Sequence, residues 1–197
     1  MTALRRFGLL APLVALSLAG CGLNSVPTAE ENVNAKWGQV QSEYQRRSDL
    51  IPNLVATVSG YAKQERDVLI RVTEARANAG RATLSAADLS DPAKVRAFND
   101  AQGLRTQAII PLQRLQEAYP DLKSNANFLT LQSQIEGTEN SILVSRKDYN
   151  EAVQAYNTRI RTFPDAIGAK VFYGTKPKVP FEATSGSQAA PKVDFGT

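Results

Sequence analysis

The chain of 197 residues contains no histidine, one cysteine and one tryptophan. The lack of histidine excludes Ser-His-Asp and Cys-His sites, and with them the general base that enzymes use most often. It also excludes the Glu-x-x-His pairs of di-iron bundles and argues against zinc and copper sites. A single cysteine allows no intrachain disulfide. We therefore expect a protein that is not an enzyme, holds no cofactor or metal, and is stabilised by packing alone.

Excess charge of one sign is also missing. The net charge is +4, and without the first twenty residues 21 basic side chains face 19 acidic ones. The sequence has no patch that combines basic and aromatic residues, and no Walker loop or dinucleotide-binding glycine motif. These observations argue against nucleic acid and nucleotides as partners.

Long apolar runs are confined to the N-terminus. Met1–Arg6 is basic, Phe7–Leu18 is apolar, and Leu18-Ala19-Gly20-Cys21 ends the run with small residues and a cysteine. A basic start, a short apolar run and a small-residue cleavage site are typical of a secretory signal. The cysteine makes the segment resemble a bacterial lipoprotein signal, which implies a diacylglyceryl group on Cys21 and cleavage just before it. Two acyl chains anchor a protein stably to a membrane.

An uncleaved membrane anchor over residues 7–23 is the alternative. The run is shorter than the ~20 apolar residues of a typical span, and Pro12 interrupts it. We therefore expect an exported protein, lipid-anchored to a cell-envelope membrane, with its body in the periplasm or at the cell surface. Gly22 follows the cysteine where inner-membrane retention signals often have aspartate. The sequence therefore allows the outer membrane and does not decide between the two membranes.

Composition divides the rest of the chain. Residues 1–20 are predicted to be the signal, 21–30 a tether, 31–165 a helical bundle and 166–197 an irregular tail. The bundle region is rich in Ala, Leu, Gln, Glu and Arg, which are good helix formers.

The tail has a different texture, because it is rich in glycine and proline. We expect Ala183–Thr197 to be disordered and Val171–Phe181 to pack along the bundle as an extended segment.

Apolar periodicity gives the number of helices. The first region begins with the seam Val33, Trp37, Val40 and Tyr44. The seam continues through Ser48 and Ile51, and one apolar face is kept to about Ala79. Pro52 lies inside it, and a proline there either kinks one helix or separates two.

Two further helices follow. Asp91-Pro92 is a helix start with an N-cap and a first-turn proline, and Pro111 should kink that helix before it stops near Tyr119. A strict three–four step over Ser124–Phe163 predicts a long last helix. The fold class expected is all-α: an antiparallel, up-and-down bundle of about four long helices with shallow, coiled-coil-like crossing.

Three segments carry a family resemblance: Arg46–Val55 (Arg-Arg-Ser-Asp-Leu-Ile-Pro-Asn-Leu-Val), Glu117–Lys123, and Glu136–Asn140 leading to Tyr149-Asn150, Tyr156-Asn157 and Phe163-Pro164. Together they closely resemble the LemA family over residues 32–164. The resemblance implies a helical bundle with an N-terminal membrane anchor and no established enzymatic activity or cofactor. Many relatives use an uncleaved membrane helix, so the lipoprotein signal is a departure from the family pattern.

The motif residues predict a polar seam inside the bundle, made by Thr138, Glu139, Arg146, Tyr149, Asn150, Tyr156 and Asn157. Buried hydroxyls and amides need hydrogen-bond partners, and we expect these from Thr138, Ser145, Arg146 or Arg159 on the bundle itself. Arg46 and Arg47 are expected to pair with Glu136 or Glu139 across helices.

The alternative interpretation of the first motif is a docking surface. Arg46, Arg47 and Asp49 stand beside the proline break, where they would bind a partner protein.

The function expected is that of a non-catalytic, membrane-tethered adaptor or structural protein of the cell envelope, with a protein partner there. Direct membrane shaping or lipid binding is the first alternative. An envelope hydrolase that uses carboxylates alone is the second, because glycosidases need only two carboxylates. Glu136 and Glu139 have helix spacing and are its candidates.

Overall fold

A computed structural model describes residues 24–62 and 65–182. Four long helices make up this part of the chain: α1 (Ser25–Tyr61), α2 (Arg66–Arg81), α3 (Pro92–Arg114) and α4 (Ala126–Arg159). No strand occurs within the described residues. α1 packs along α4 for most of its length, and α2 packs mainly against α3. The predicted all-α bundle is confirmed.

Local chemistry sets the helix starts. The Asp91 side chain accepts from the amides of Ala93 and Lys94, and Pro92 occupies the first turn of α3. The Asn125 side chain caps α4 by accepting from the Phe128 amide at 2.9 Å. These caps satisfy amides that have no partner within the helix.

α4 ends earlier than its three–four pattern predicts. The helix stops at Arg159, and Phe163, predicted on the seam, is 82% exposed. The predicted end is wrong: turns replace the helix from Ile160 onward, and Pro164 disfavours helical backbone at Phe163.

α1 continues through Pro52 without a break. A proline has no amide hydrogen, so the Ser48 carbonyl loses the partner it would have four residues later. The Arg76 side chain on α2 replaces it, since its Nε donates to the Ser48 oxygen at 3.1 Å. α1 ends at Tyr61, and α2 begins at Arg66.

Two boundaries predicted from the sequence, those of the tether and of the tail, differ in the structure. The tether was expected to reach residue 30, but α1 begins at Ser25 and Val26 is fully buried. The expected irregular tail begins with a helical turn over Asp165–Gly168 and a wide π turn over Ala169–Tyr173. Residues 174–182 then run along the bundle as an extended segment, called here the C-terminal segment. The predicted signal peptide, Cys21 and residues 183–197 lie outside the described residues.

The core consists of two hydrophobic clusters stacked along the α1–α4 pair. One surrounds Trp37, Tyr149 and Phe181, at the end of the bundle where α1 starts. The other surrounds Ile51, Leu54 and Phe128, at the opposite end. Arg47 and Thr138 are fully buried at the level between them.

Candidate functional site

A buried arginine occupies the boundary between the two clusters. Arg47 is 1% exposed. Its Nη1 donates to Thr106 Oγ1 at 2.7 Å and to Glu139 Oε1 at 3.0 Å, and its Nη2 donates to Gln102 Oε1 at 2.8 Å. The guanidinium also lies 5.1 Å from the centre of the Tyr44 ring. One side chain on α1 therefore connects to both α3 and α4.

This position removes Arg47 from the expected docking surface. Arg47 is buried and both of its terminal nitrogens bind intrachain partners, so it cannot contact another protein. Arg46 and Asp49 remain exposed, and Asp49 accepts from Gln45 at 2.7 Å. The cross-helix pair is formed by Arg47 and Glu139, whereas Glu136 accepts from Gln132 on its own helix.

A second arginine extends the polar layer toward α2. Arg105 Nη2 donates to the Arg76 carbonyl at 3.1 Å. Burial, followed by the nearby Arg47 and Arg76 charges, lowers the pKa of Arg105 to about 10. Burial of the Arg47–Glu139 pair and of the neighbouring Arg105 costs desolvation energy, so we expect the layer to fix the register of the helices more than it stabilises them.

The doubled Tyr-Asn motif binds the C-terminal segment. The Asn150 side chain donates to the Phe181 carbonyl at 2.9 Å and accepts from the Phe181 amide at 2.8 Å. One heptad later, the Asn157 side chain donates to the Lys178 carbonyl at 2.7 Å and accepts from the Lys178 amide at 2.9 Å. Each asparagine thus pairs with both backbone groups of one residue, as a neighbouring strand would.

The tyrosines of the two Tyr-Asn pairs also bind backbone groups of the C-terminal segment. The hydroxyl of Tyr149 donates to the Val179 carbonyl at 3.0 Å, and that of Tyr156 donates to the Lys176 carbonyl at 3.3 Å. Each contacts the carbonyl two residues before the one that its neighbouring asparagine binds. Seven helical residues rise ~10.5 Å and three extended residues span about 10 Å, so the two repeats coincide.

Aromatic packing holds the end of the segment. The Phe181 ring lies 5.1 Å from the Tyr149 ring and 5.9 Å from the Trp37 ring. Arg146 stacks over Phe181 at 4.9 Å, and its Nη2 donates to the Glu182 carbonyl at 2.9 Å. Phe181 therefore belongs to the core.

Two polar contacts fix the middle of the segment. Lys178 Nζ lies 2.8 Å from a carboxylate oxygen of Glu30, and the Val179 amide donates to the Leu89 carbonyl at 2.8 Å.

Sequence reasoning identified these seam residues but not their partners. The partners are backbone groups of the C-terminal segment, whereas bundle side chains were expected. Thr138 donates within its own helix, to the Gln134 carbonyl at 2.7 Å. The signal that was missed is the spacing of Pro177 and Pro180, three residues apart, which matches the heptad of the Tyr-Asn pairs. Burial raises the pKa of Tyr149, and burial followed by the Glu30 charge raises that of Tyr156.

Several carboxylates of the described residues form ion pairs with nearby basic groups. Glu139 pairs with Arg47. Glu151 and Asp165 line an open groove of about 500 Å³, but each lies near a base: Lys147 at 3.7 Å and Arg159 at 3.6 Å. Among the residues described, no three acidic or sulfur ligands cluster around a point where a metal would fit.

Comparison with known proteins gives the chain's family. The LemA family model matches residues 36–195, more than half of the chain and including the C-terminal segment. Protein LemA of Metamycoplasma hominis is 25% identical over 124 residues, 63% of this chain and 52% of that protein. Magnetosome proteins MamQ 1 and MamQ 2 of Paramagnetospirillum magneticum are each 26% identical over 157 residues, 72% of this chain and 58% of theirs. The chain spans between half and three fifths of these relatives. It belongs to the LemA family.

Proposed function

We propose that this protein is a non-catalytic, lipid-anchored scaffold of the bacterial cell envelope that presents a rigid helical surface to a partner protein. The observation that carries the proposal is how the candidate site uses its polar groups. The Tyr-Asn pairs bind the chain's own backbone, and Arg47 binds three side chains of the bundle. Such groups support a fixed shape rather than the turnover of a substrate.

The sequence and the start of α1 support the proposed anchor. Cys21 precedes the first residue of α1 by four positions, and four residues reach ~14 Å at most. A lipid on Cys21 would therefore hold the bundle directly against the membrane. None of the described helices is both long enough and apolar enough to span a bilayer.

The relatives support an envelope role. Two of them carry the name magnetosome protein, which associates the family with specialised bacterial membranes. This chain covers little more than half of each relative. We therefore include membership in an envelope assembly in the proposal.

The lipid anchor is tested by the intact mass of protein extracted from membranes. We expect a chain that begins at Cys21 and carries acyl chains, and a Cys21→Ser variant without them. A mature protein that retains residues 1–20 would contradict the anchor.

The partner is tested by crosslinking in intact cells, purification through a C-terminal tag and mass spectrometry. We expect specific envelope proteins that are lost in Cys21→Ser. Recovery of none from correctly localised protein would overturn the adaptor role.

A surface variant refines this experiment. Reversal of both Arg46 and Arg47 is a poor test, because a glutamate at position 47 would face Glu139 in the core. Arg46→Glu with Asp49→Lys changes exposed groups only. Arg114→Glu with Asp100→Lys is a matched exposed control on α3. If only the variant at residues 46 and 49 loses its crosslinked partners, those residues form the docking surface. If both variants recover the partners equally, the docking surface lies elsewhere.

A further inference from the structure

Exposed apolar side chains crowd onto the turn after α4. Phe163 is 82% exposed, Val171 68%, Phe172 67% and Ile167 56%. These four residues, called here the turn face, contribute little to either hydrophobic cluster. Isolated exposed apolar residues are ordinary, but several on one short turn indicate a binding surface.

The opposite side of the turn is fixed to the bundle. Gly168 and Ala169 are buried, and Ala169 packs into the Trp37 cluster. The Thr175 amide and hydroxyl both donate to the Ala169 carbonyl, at 3.1 and 3.2 Å. Gly174 closes the turn with a φ of +55°, a conformation that favours glycine. Because the inner side is fixed, the turn face points away from the core.

The position of the turn identifies what it faces. Arg159 at the end of α4 donates to the Ser25 carbonyl at the start of α1, at 3.2 Å. The turn face therefore lies at the end of the bundle from which the chain leads back to Cys21. A linker of at most ~14 Å keeps that end at the membrane surface.

The charge of the turn and of the residues beside it in the chain complements an anionic membrane. Residues 159–176 contain four basic side chains and one acidic one, Asp165, which pairs with Arg159 at 3.6 Å. Arg161, Lys170 and Lys176 are exposed beside the turn face. Aromatic and aliphatic groups flanked by lysine and arginine are typical of segments that insert into the headgroup region.

We propose that the turn face inserts shallowly into an anionic bilayer and holds the bundle upright on it. The inference rests on the proposed lipid anchor for its location, and it assigns the turn as a second membrane contact. Phe163, Ile167, Val171 and Phe172 enter the headgroup region, while Arg161, Lys170 and Lys176 contact lipid phosphates.

The test is depth-dependent fluorescence quenching. The full-length lipidated protein is reconstituted into vesicles of phosphatidylglycerol and brominated phosphatidylcholine. Phe172→Trp reports from the turn face, and Leu143→Trp is the control, because Leu143 is 65% exposed in the middle of α4. The native Trp37 is buried and gives the same background in both.

We expect Phe172→Trp to be quenched about twofold or more above Leu143→Trp, since interfacial side chains lie ~5–10 Å deep. Lys170→Glu with Lys176→Glu should reduce that quenching. If neither variant is quenched, the turn does not enter the bilayer. If both are quenched equally, the bundle lies flat, and the proposal is equally overturned.

Failure of the anchor gives a different result. The intact mass of the same protein shows whether Cys21 carries lipid. If it does not, the proposed anchor fails, and the protein is instead added to preformed vesicles of the same composition. Selective quenching of Phe172→Trp then still supports the turn as a membrane contact, and its absence contradicts it.

Discussion

Arg47 supplies most of the hydrogen bonds at the level where the two hydrophobic clusters meet. Its two terminal nitrogens bind groups on α3 and α4. A buried ion pair adds little net stability, but loss of one partner leaves the other groups buried and unpaired.

We expect Arg47→Ala to lower the free energy of unfolding by about 3 kcal/mol, because Glu139 and Gln102 lose their donor. Chemical denaturation measures this. Arg46→Ala is the matched control, since that side chain is exposed on the next residue, and its change should stay within about 0.5 kcal/mol. Equal effects of the two variants would contradict a special role for Arg47.

The sequence could not choose which side chain of this motif is buried. Tyr44 and Ile51 are one heptad apart, and the seam between them can pass through residue 47 or residue 48. The apolar pattern suggested Ser48, because an arginine is rarely fully buried. Only the acceptors on α3 and α4 make Arg47 the better choice, and they are 55 to 92 residues away.

Matching repeats on two elements hold the C-terminal segment to α4. Asparagines seven residues apart on the helix meet residues three apart on the segment. The segment is therefore held by side chains that act as a neighbouring strand, and its order depends on them.

We expect Asn150→Ala to expose the Phe181 amide, and Asn157→Ala the Lys178 amide, because each loses its only acceptor on α4. Hydrogen exchange at these amides should accelerate about tenfold or more, as a lost buried hydrogen bond costs ~1–3 kcal/mol. Asn140→Ala, an exposed asparagine of the same helix, is the control. Unchanged exchange in the first two variants would show that Phe181 packing alone holds the segment.

Pro52 and Arg76 act together to keep α1 continuous. Arg76→Ala should cost about 1 kcal/mol, because the Ser48 carbonyl loses its donor. In a Pro52→Ala background the restored amide serves Ser48, so Arg76→Ala should cost much less. A double-mutant cycle by urea denaturation measures the coupling. Arg71→Ala, exposed on the same helix, should cost little in both backgrounds, and an equal cost of Arg76→Ala in both would exclude the replacement.

At the scale of the whole molecule, the sequence predicts the bundle and an extended segment packed along it, but not the groups that bind that segment. Periodicity and caps are local signals, so four helices and the Asp91-Pro92 start could be found. The Tyr-Asn contacts to the C-terminal segment join residues 20 to 31 apart, and the segment has no apolar period of its own. A search for amphipathic helices also does not detect the turn face. Its residues lie on a nine-residue turn, Asp165–Tyr173, and on Phe163 before that turn.

Buried tyrosines make the stability of the whole fold depend on alkaline pH. Tyr149 and Tyr156 are fully buried, and Tyr44 is 5% exposed. Burial is the largest cause that raises each pKa above its usual value of 10.0. The folded protein therefore keeps protons that the unfolded chain releases above pH 10, so stability is full below that pH and falls as the pH rises further.

The expected slope is about 1.4 kcal/mol per pH unit for each tyrosine that stays protonated. Urea denaturation between pH 9 and pH 11, followed by circular dichroism, measures it. Tyr149→Phe loses the hydrogen bond to the Val179 carbonyl and so begins less stable at pH 8. Its stability should nevertheless fall less steeply than that of the parent, because one buried phenol no longer titrates. Parallel slopes would mean that the Tyr149 hydroxyl reaches water readily in the folded protein, and that the C-terminal segment does not stay closed over it.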